Sequence, residues 1–235
     1  MGSDVFGMAA TDSVVYLGGW FDSVNGIARQ HLAAVSTSDG SLLGWSPTVD
    51  QTVYGVGLTT ARDRVIIAGN FASVNGSTMK SMASLDASTG ASYPFVAGTL
   101  LNDVGTTASM TSLKVVNDQV FSTGYTYGVG NFEGVIVADA YSGAIQNMLD
   151  CHGDSYDSVP MNGLVYSVSH HHFCTNVGGF PEITPRRHYH ADAFTLDPRG
   201  TVATNTQSGS GYGNWAGQPV GSMVDWWNTW MAGSY

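Results

Sequence analysis

The chain has 235 residues, 43% hydrophobic and only 11% charged, which is long enough for one large β domain or two small ones and too apolar for a disordered tail. Eight Lys and Arg stand against 18 Asp and Glu, a formal charge of −10, so no basic stripe exists to neutralise phosphates, and nucleic acid and anionic membrane are excluded as partners. No apolar run approaches the roughly 18 residues of a membrane span and the N-terminal stretch lacks a basic n-region, so neither membrane insertion nor a signal peptide is expected.

In chain order, a short apolar stretch at 5–9 is followed by a β-branched and aromatic run at 14–19 that ends in Gly18 and Gly19. Asn25 and Gly26 then mark a tight turn, a third run covers 31–36, and a fourth covers 41–45 after Gly40. The stretch GGWFDSVNG at 18–26 returns as AGNFASVNG at 68–76, and Leu32, Ala33, Val35 and Gly40 line up at the same offset with Met82, Ala83, Leu85 and Gly90. The second unit therefore repeats the first, with runs at 53–58, 65–69, 81–86 and 91–95. A third unit carries the pattern at 116–124, 135–139 and Gly143, a fourth at 164–169, 191–197 and Gly200, and a fifth opens near Tyr212.

A step of about fifty residues, with four short runs per step separated by Gly, Asn, Asp and Ser, predicts an all-β propeller or partial propeller of four-stranded antiparallel blades. The expected blades within one domain of 1–235 are 4–50, 51–98, 99–150, 151–207 and an incomplete 208–235. The glycines 18, 19 and 69 stand where a side chain would obstruct a neighbouring backbone, and Phe21 and Phe71 are expected to fill the seams between blades.

Chemistry-bearing residues concentrate in the fourth unit. His170 and His172 alternate on its second run and His188 and His190 on its third; period-two spacing puts each pair on one strand face, where four imidazoles could approach a zinc-like ion, with His152 or Asp154 as further candidates. His171 dilutes that pattern. Asp150, Asp154 and Asp157 form an acidic run that could hold calcium or serve as a solvated turn. Cys151 and Cys174 read either as a disulfide or as two buried thiols. Trp226, Trp227 and Trp230 crowd the C-terminal stretch and, with Trp20, are candidate binding aromatics if they are not buried between blades. No Gly-x-Ser-x-Gly elbow, phosphate loop or His-Glu-x-x-His helix occurs, so catalysis is not the expectation.

The stretch GG-x-F-x-x-VNG, followed by Leu32, Ala33, Ala34, Gly40, Leu42, Trp45 and Pro47, resembles the delta-60 (DUF5122) β-propeller repeat family. Segments 151–157 and 170–186 also resemble a linker and blade of its actinobacterial members. In the third unit Gly124, Tyr125, Thr126 and Tyr127 replace the GG-x-F core. The resemblance implies an extracellular setting, either a minor tail protein of a phage virion or a secreted actinobacterial surface protein. The expected role is a non-catalytic binding or structural module that contacts cell-envelope glycan or a neighbouring protein. The alternative is a metal-dependent hydrolase built on the blade-four histidines.

Overall fold

The computed structural model describes residues 3–206 and 212–227. Antiparallel sheets follow one another along the chain. The first holds β1 (Ser3–Ala10), β2 (Val14–Phe21) and β3 (Leu32–Ser36). The second holds β4 (Val53–Leu58), β5 (Arg64–Gly69), β6 (Met82–Asp86) and the short β7 (Ser92–Tyr93). The third holds β8 (Ala108–Val116), β9 (Gln119–Thr126), β10 (Gly134–Asp139) and β11 (Ile145–Leu149). The fourth holds β12 (Ser155–Met161), β13 (Leu164–His171), β14 (Tyr189–Thr195) and β15 (Met223–Trp227). Among the described residues helix is limited to one turn, Ala97–Leu100, and a 3₁₀ turn, Thr175–Val177; no described helix is long and apolar enough to cross a membrane.

The first two sheets share the same turn geometry and the same backbone bonds at their second-to-third strand connections. Asn25 and Gly26 take φ of 51° and 78°, Asn75 and Gly76 take 51° and 75°, and His31 and Ser81 both take 63°. The backbone N–H of His31 donates to the carbonyl of Phe21 at 2.9 Å and that of Ser81 to Phe71 at 3.0 Å. A Cβ on Gly19 would lie 2.1 Å from the carbonyl oxygen of Asp4, and one on Gly69 would lie 2.1 Å from that of Thr52, so only glycine permits either approach. Phe21 and Phe71 are both buried.

The inner strands β1, β4, β8 and β12 stack in series, which sets the sheets side by side. Glycine makes the first two seams close. A Cβ on Gly7 would stand 2.8 Å from the backbone of Val56, and one on Gly55 would stand 2.5 Å from the Leu113 side chain. The third seam is bridged by Thr111, whose hydroxyl donates to the carbonyl of Ser155 at 2.8 Å. Apolar residues fill the seams: Tyr16, Phe71, Val53 and Leu85 in one cluster, and Phe121, Ile136, Met148, Phe132 and Phe194 in another. Among the described residues no packed seam joins the fourth sheet back to the first, so the arrangement is propeller-like without being a closed ring.

Two expectations change. The fourth run of the first unit, 41–45, contributes a single bridge between Val35 and Leu42, and its counterpart in the second unit is only two residues long because Pro94 has no N–H to extend the ladder. The fifth blade expected at 208–235 is not a separate blade in its described part. Met223–Trp227 returns to the fourth sheet, pairing Ala191 with Trp227 and Ala193 with Asp225.

Candidate functional site

Where the third and fourth sheets meet, a pocket of about 490 Å³ is lined by Tyr127 and Glu133 from the third unit and by Asp154, His170, His172, Arg186, His188 and Tyr212. Its shape follows from the end of β13. The register between β13 and β14 slips between Val168 and His171, and His171 pairs with Tyr189. Alternation then sends His170 and His172 to the pocket side and His171 to the other. His188, just ahead of β14, closes over them: its ring centroid is 5.2 Å from that of His170 and 6.1 Å from that of His172.

Carboxylates surround these rings. Asp154 Oδ2 accepts from the Tyr127 hydroxyl at 2.9 Å and lies 3.7 Å from His170 Nδ1, which also bonds the Tyr156 hydroxyl at 2.7 Å. Glu182 Oε1 lies 3.5 Å from His172 Nδ1 and pairs with Arg186. His172 is buried, and its Nδ1 has no hydrogen-bond partner. Burial pulls His170 and His188 below the usual imidazole range and His172 down to about 4, so at neutral pH the rings carry lone pairs rather than charge. Burial pushes Glu133 up to about 7, against backbone N–H bonds from Gly153 at 2.7 Å and Thr126 at 3.3 Å. The bond to Asp154 raises the Tyr127 phenol to about 12.

Three of the four predicted histidines thus meet; His190, on β14, does not line the pocket. His152 stacks on Tyr212 at 3.8 Å and bonds Asn205. The acidic run is dispersed, which corrects the calcium-loop expectation. Asp150 is buried and accepts from Asn176 at 2.8 Å, Asp154 faces the pocket, and Asp157 pairs with Lys114 on the surface. Cys151 and Cys174 form a disulfide. Trp20 is 52% exposed, while Trp226 leans on Phe180 at 5.5 Å and Trp227 lines a shallow apolar recess with Val159, Tyr166, Val168 and Ala191. Trp230 lies outside the described residues.

Sequence reading missed Tyr127, Glu133, Arg186 and Tyr212, which come from segments far apart along the chain and carry no local signal. It also passed over His171. Fully buried, His171 places Nδ1 2.8 Å from Asp192 Oδ2 and Nε2 2.6 Å from Ser155 Oγ. Ser167 also donates to Asp192, as does Ser169 at 3.3 Å. The connectivity is that of a Ser-His-Asp triad, but all three side chains have no solvent exposure to admit a substrate. Its work is to tie three strands of one sheet together. Among the described residues, the group of three His, Cys, Asp or Glu side chains whose ligand atoms all lie within 4.8 Å of one another is Cys151, His171 and Cys174; with both sulfurs spent in the disulfide, no thiolate is free to ligate there.

No protein-family profile and no curated protein matches the sequence. Among solved structures the chain is similar to hydrazine synthase of Kuenenia stuttgartiensis, at 11% identity and a TM-score of 0.51 over 88% of this chain. The chain spans about half the length of that protein, 56%. It is also similar to BamB of Moraxella catarrhalis, at 12% identity and a TM-score of 0.34, covering 96% of this chain and 77% of that one. The hydrazine synthase likeness is one of fold alone, a β-propeller-like module.

Proposed function

We propose that the chain is a non-catalytic β-propeller module whose end sheets contact a neighbouring protein, in an extracellular setting. The observation that carries this reading is the chemistry of the two outer sheet faces. On the first sheet, the pairs Met8 with Leu17 and Val15 with Val35 put apolar side chains on the face turned away from the second sheet, and Met8 is 68% exposed. On the fourth, Val159, Tyr166, Val168 and Trp227 do the same around the apolar recess. The interior seams indicate what such a face accepts, since each is covered by the inner strand of another sheet. The partner is therefore a β-sheet blade of a neighbouring protein segment, as both faces would otherwise leave a large apolar area in water. The disulfide favours an oxidising compartment. By the sequence resemblance, that setting is a phage tail tip or an actinobacterial surface protein.

Each face is complementary to sheets of its own kind, so the purified chain should self-associate with rising concentration in sedimentation velocity. Met8→Glu or Val168→Glu, at exposed positions, should abolish that association without unfolding the chain. A chain that stays monomeric and binds no apolar dye would sink the reading. Retention on cell-envelope glycan that is lost on replacing Trp20, Trp226 and Trp227 would move the role to glycan recognition.

A further inference from the structure

The pocket between the third and fourth sheets has a role that the end-face contacts leave unused. We propose that it binds one divalent transition-metal ion through the imidazoles of His170, His172 and His188, with the fourth position open to the pocket.

The donor set suits such an ion. Three neutral imidazoles are a borderline-soft nitrogen set of the kind taken by zinc, cobalt, nickel or copper, whereas calcium or magnesium would need a cage of oxygens. Two imidazoles sharing a tetrahedral ion at about 2.0–2.1 Å per bond have ring centroids roughly 5 Å apart. His170 and His188 stand at 5.2 Å. His172 and His188 stand further apart, at 6.1 Å, and the ligand nitrogens of the three rings do not all lie within 4.8 Å of one another, so binding requires His188, just outside the β14 ladder, to turn toward His172.

The surroundings supply the outer shell that metal-bound histidines use. A ligating imidazole turns its second nitrogen to a carboxylate or another polar group, which fixes the ring and makes the bound nitrogen more basic. Asp154 and the Tyr156 hydroxyl stand at Nδ1 of His170, and Glu182 stands at Nδ1 of His172. That leaves Nε2 of both rings for the ion. It also gives a use to the buried Nδ1 of His172, which lacks a hydrogen bond: with Nε2 committed to metal, Nδ1 carries the proton and donates it toward Glu182. Arg186 pairs with Glu182 from outside and keeps that carboxylate in place. The disulfide between Cys151 and Cys174 anchors both segments that present these groups, since Asp154 and His172 are close in sequence to its two ends.

The experiment is titration of chelator-stripped protein with cobalt chloride, read by the visible d–d absorption of the ion, followed by displacement with zinc chloride. One equivalent per chain with a tetrahedral-type spectrum is expected. His188→Ala and His172→Ala should each abolish the spectrum, while His190→Ala and His31→Ala should leave it unchanged. Glu182→Gln should weaken binding by on the order of 10–100-fold with the spectrum retained. Circular dichroism confirms that each variant is folded, and His188→Ala is a safe choice because that side chain lies outside the strand ladder. Absence of stoichiometric binding to the parent protein, or a spectrum that survives the combined His172→Ala and His188→Ala change, overturns the assignment. Self-association of the chain is read separately, so failure here leaves the end-face reading standing, and the reverse.

Discussion

Replacing Asp103 by Asn should flatten the dependence of stability on pH. The Asp103 side chain is fully buried; Oδ1 accepts from the backbone N–H of Asn131 at 2.8 Å and of Phe132 at 3.2 Å, and Oδ2 has no partner. Burial pushes its carboxyl from 3.8 up to about 7, partly offset by those two backbone bonds, and the Glu133 charge adds to the rise. The folded protein therefore keeps a proton that the unfolded chain releases. Stability from this group is complete below pH 3.8 and is lost as pH rises through the folded value near 7. A difference of about 3 pK units corresponds to about 4 kcal/mol in all, of which about 2–3 kcal/mol falls between pH 5 and pH 8. That is a large fraction of the ~5–15 kcal/mol by which a domain is stable. An Asn side chain has the shape of the protonated acid, and its oxygen can accept both backbone bonds, but it never ionises. Urea unfolding followed by tryptophan fluorescence at several pH values gives the test. The parent should lose about 2–3 kcal/mol more than Asp103→Asn between pH 5 and pH 8; any constant cost of the amide cancels in that comparison. Parallel curves for the two proteins across that range would refute the reasoning.

Other substitutions probe the seams and the buried network. Phe71→Ala, at a site with no solvent exposure, should cost about 3–5 kcal/mol in urea denaturation. Gly69→Ala drives a Cβ to 2.1 Å from the Thr52 carbonyl, and its thermal midpoint should fall well below that of Gly76→Ala, whose Cβ meets nothing within 4 Å and whose cost is confined to its φ of 75°. Asp192→Ala strips His171, Ser167 and Ser169 of their shared acceptor and should destabilise by about 3–5 kcal/mol. Reducing the disulfide, whose cysteines are 23 residues apart, should lower stability by about 3 kcal/mol, measured as the shift in denaturation midpoint with and without a dithiol.

The repeat was legible in the sequence because its determinants are local. Asn25 and Gly26, like Asn75 and Gly76, can hold positive φ, and the glycines at 19 and 69 admit a carbonyl that no side chain would. Those constraints act within a few residues, so they recur at fixed spacing wherever the unit recurs. That His170 and His172 fall on one side was readable for the same reason, since strand alternation is a local rule, but alternation paired His188 with His190, and it is His188 alone of these two that lines the pocket.

What the sequence could not determine depends on contacts across long separations. The tryptophan-rich tail reads as the start of a fifth unit, yet Met223–Trp227 pairs with β14 in the fourth sheet because that edge offers an unpaired ladder. His171 reads as a residue that spoils the alternation, and it is the one buried against Asp192 and Ser155, since a register slip decides which neighbour turns inward. Glu133 and Tyr127 reach the pocket only because the third and fourth sheets pack. Backbone conformation is set by each residue and its immediate neighbours and is written along the chain. The meeting of side chains from separate sheets is set by how those sheets stack, and only the tertiary structure decides it.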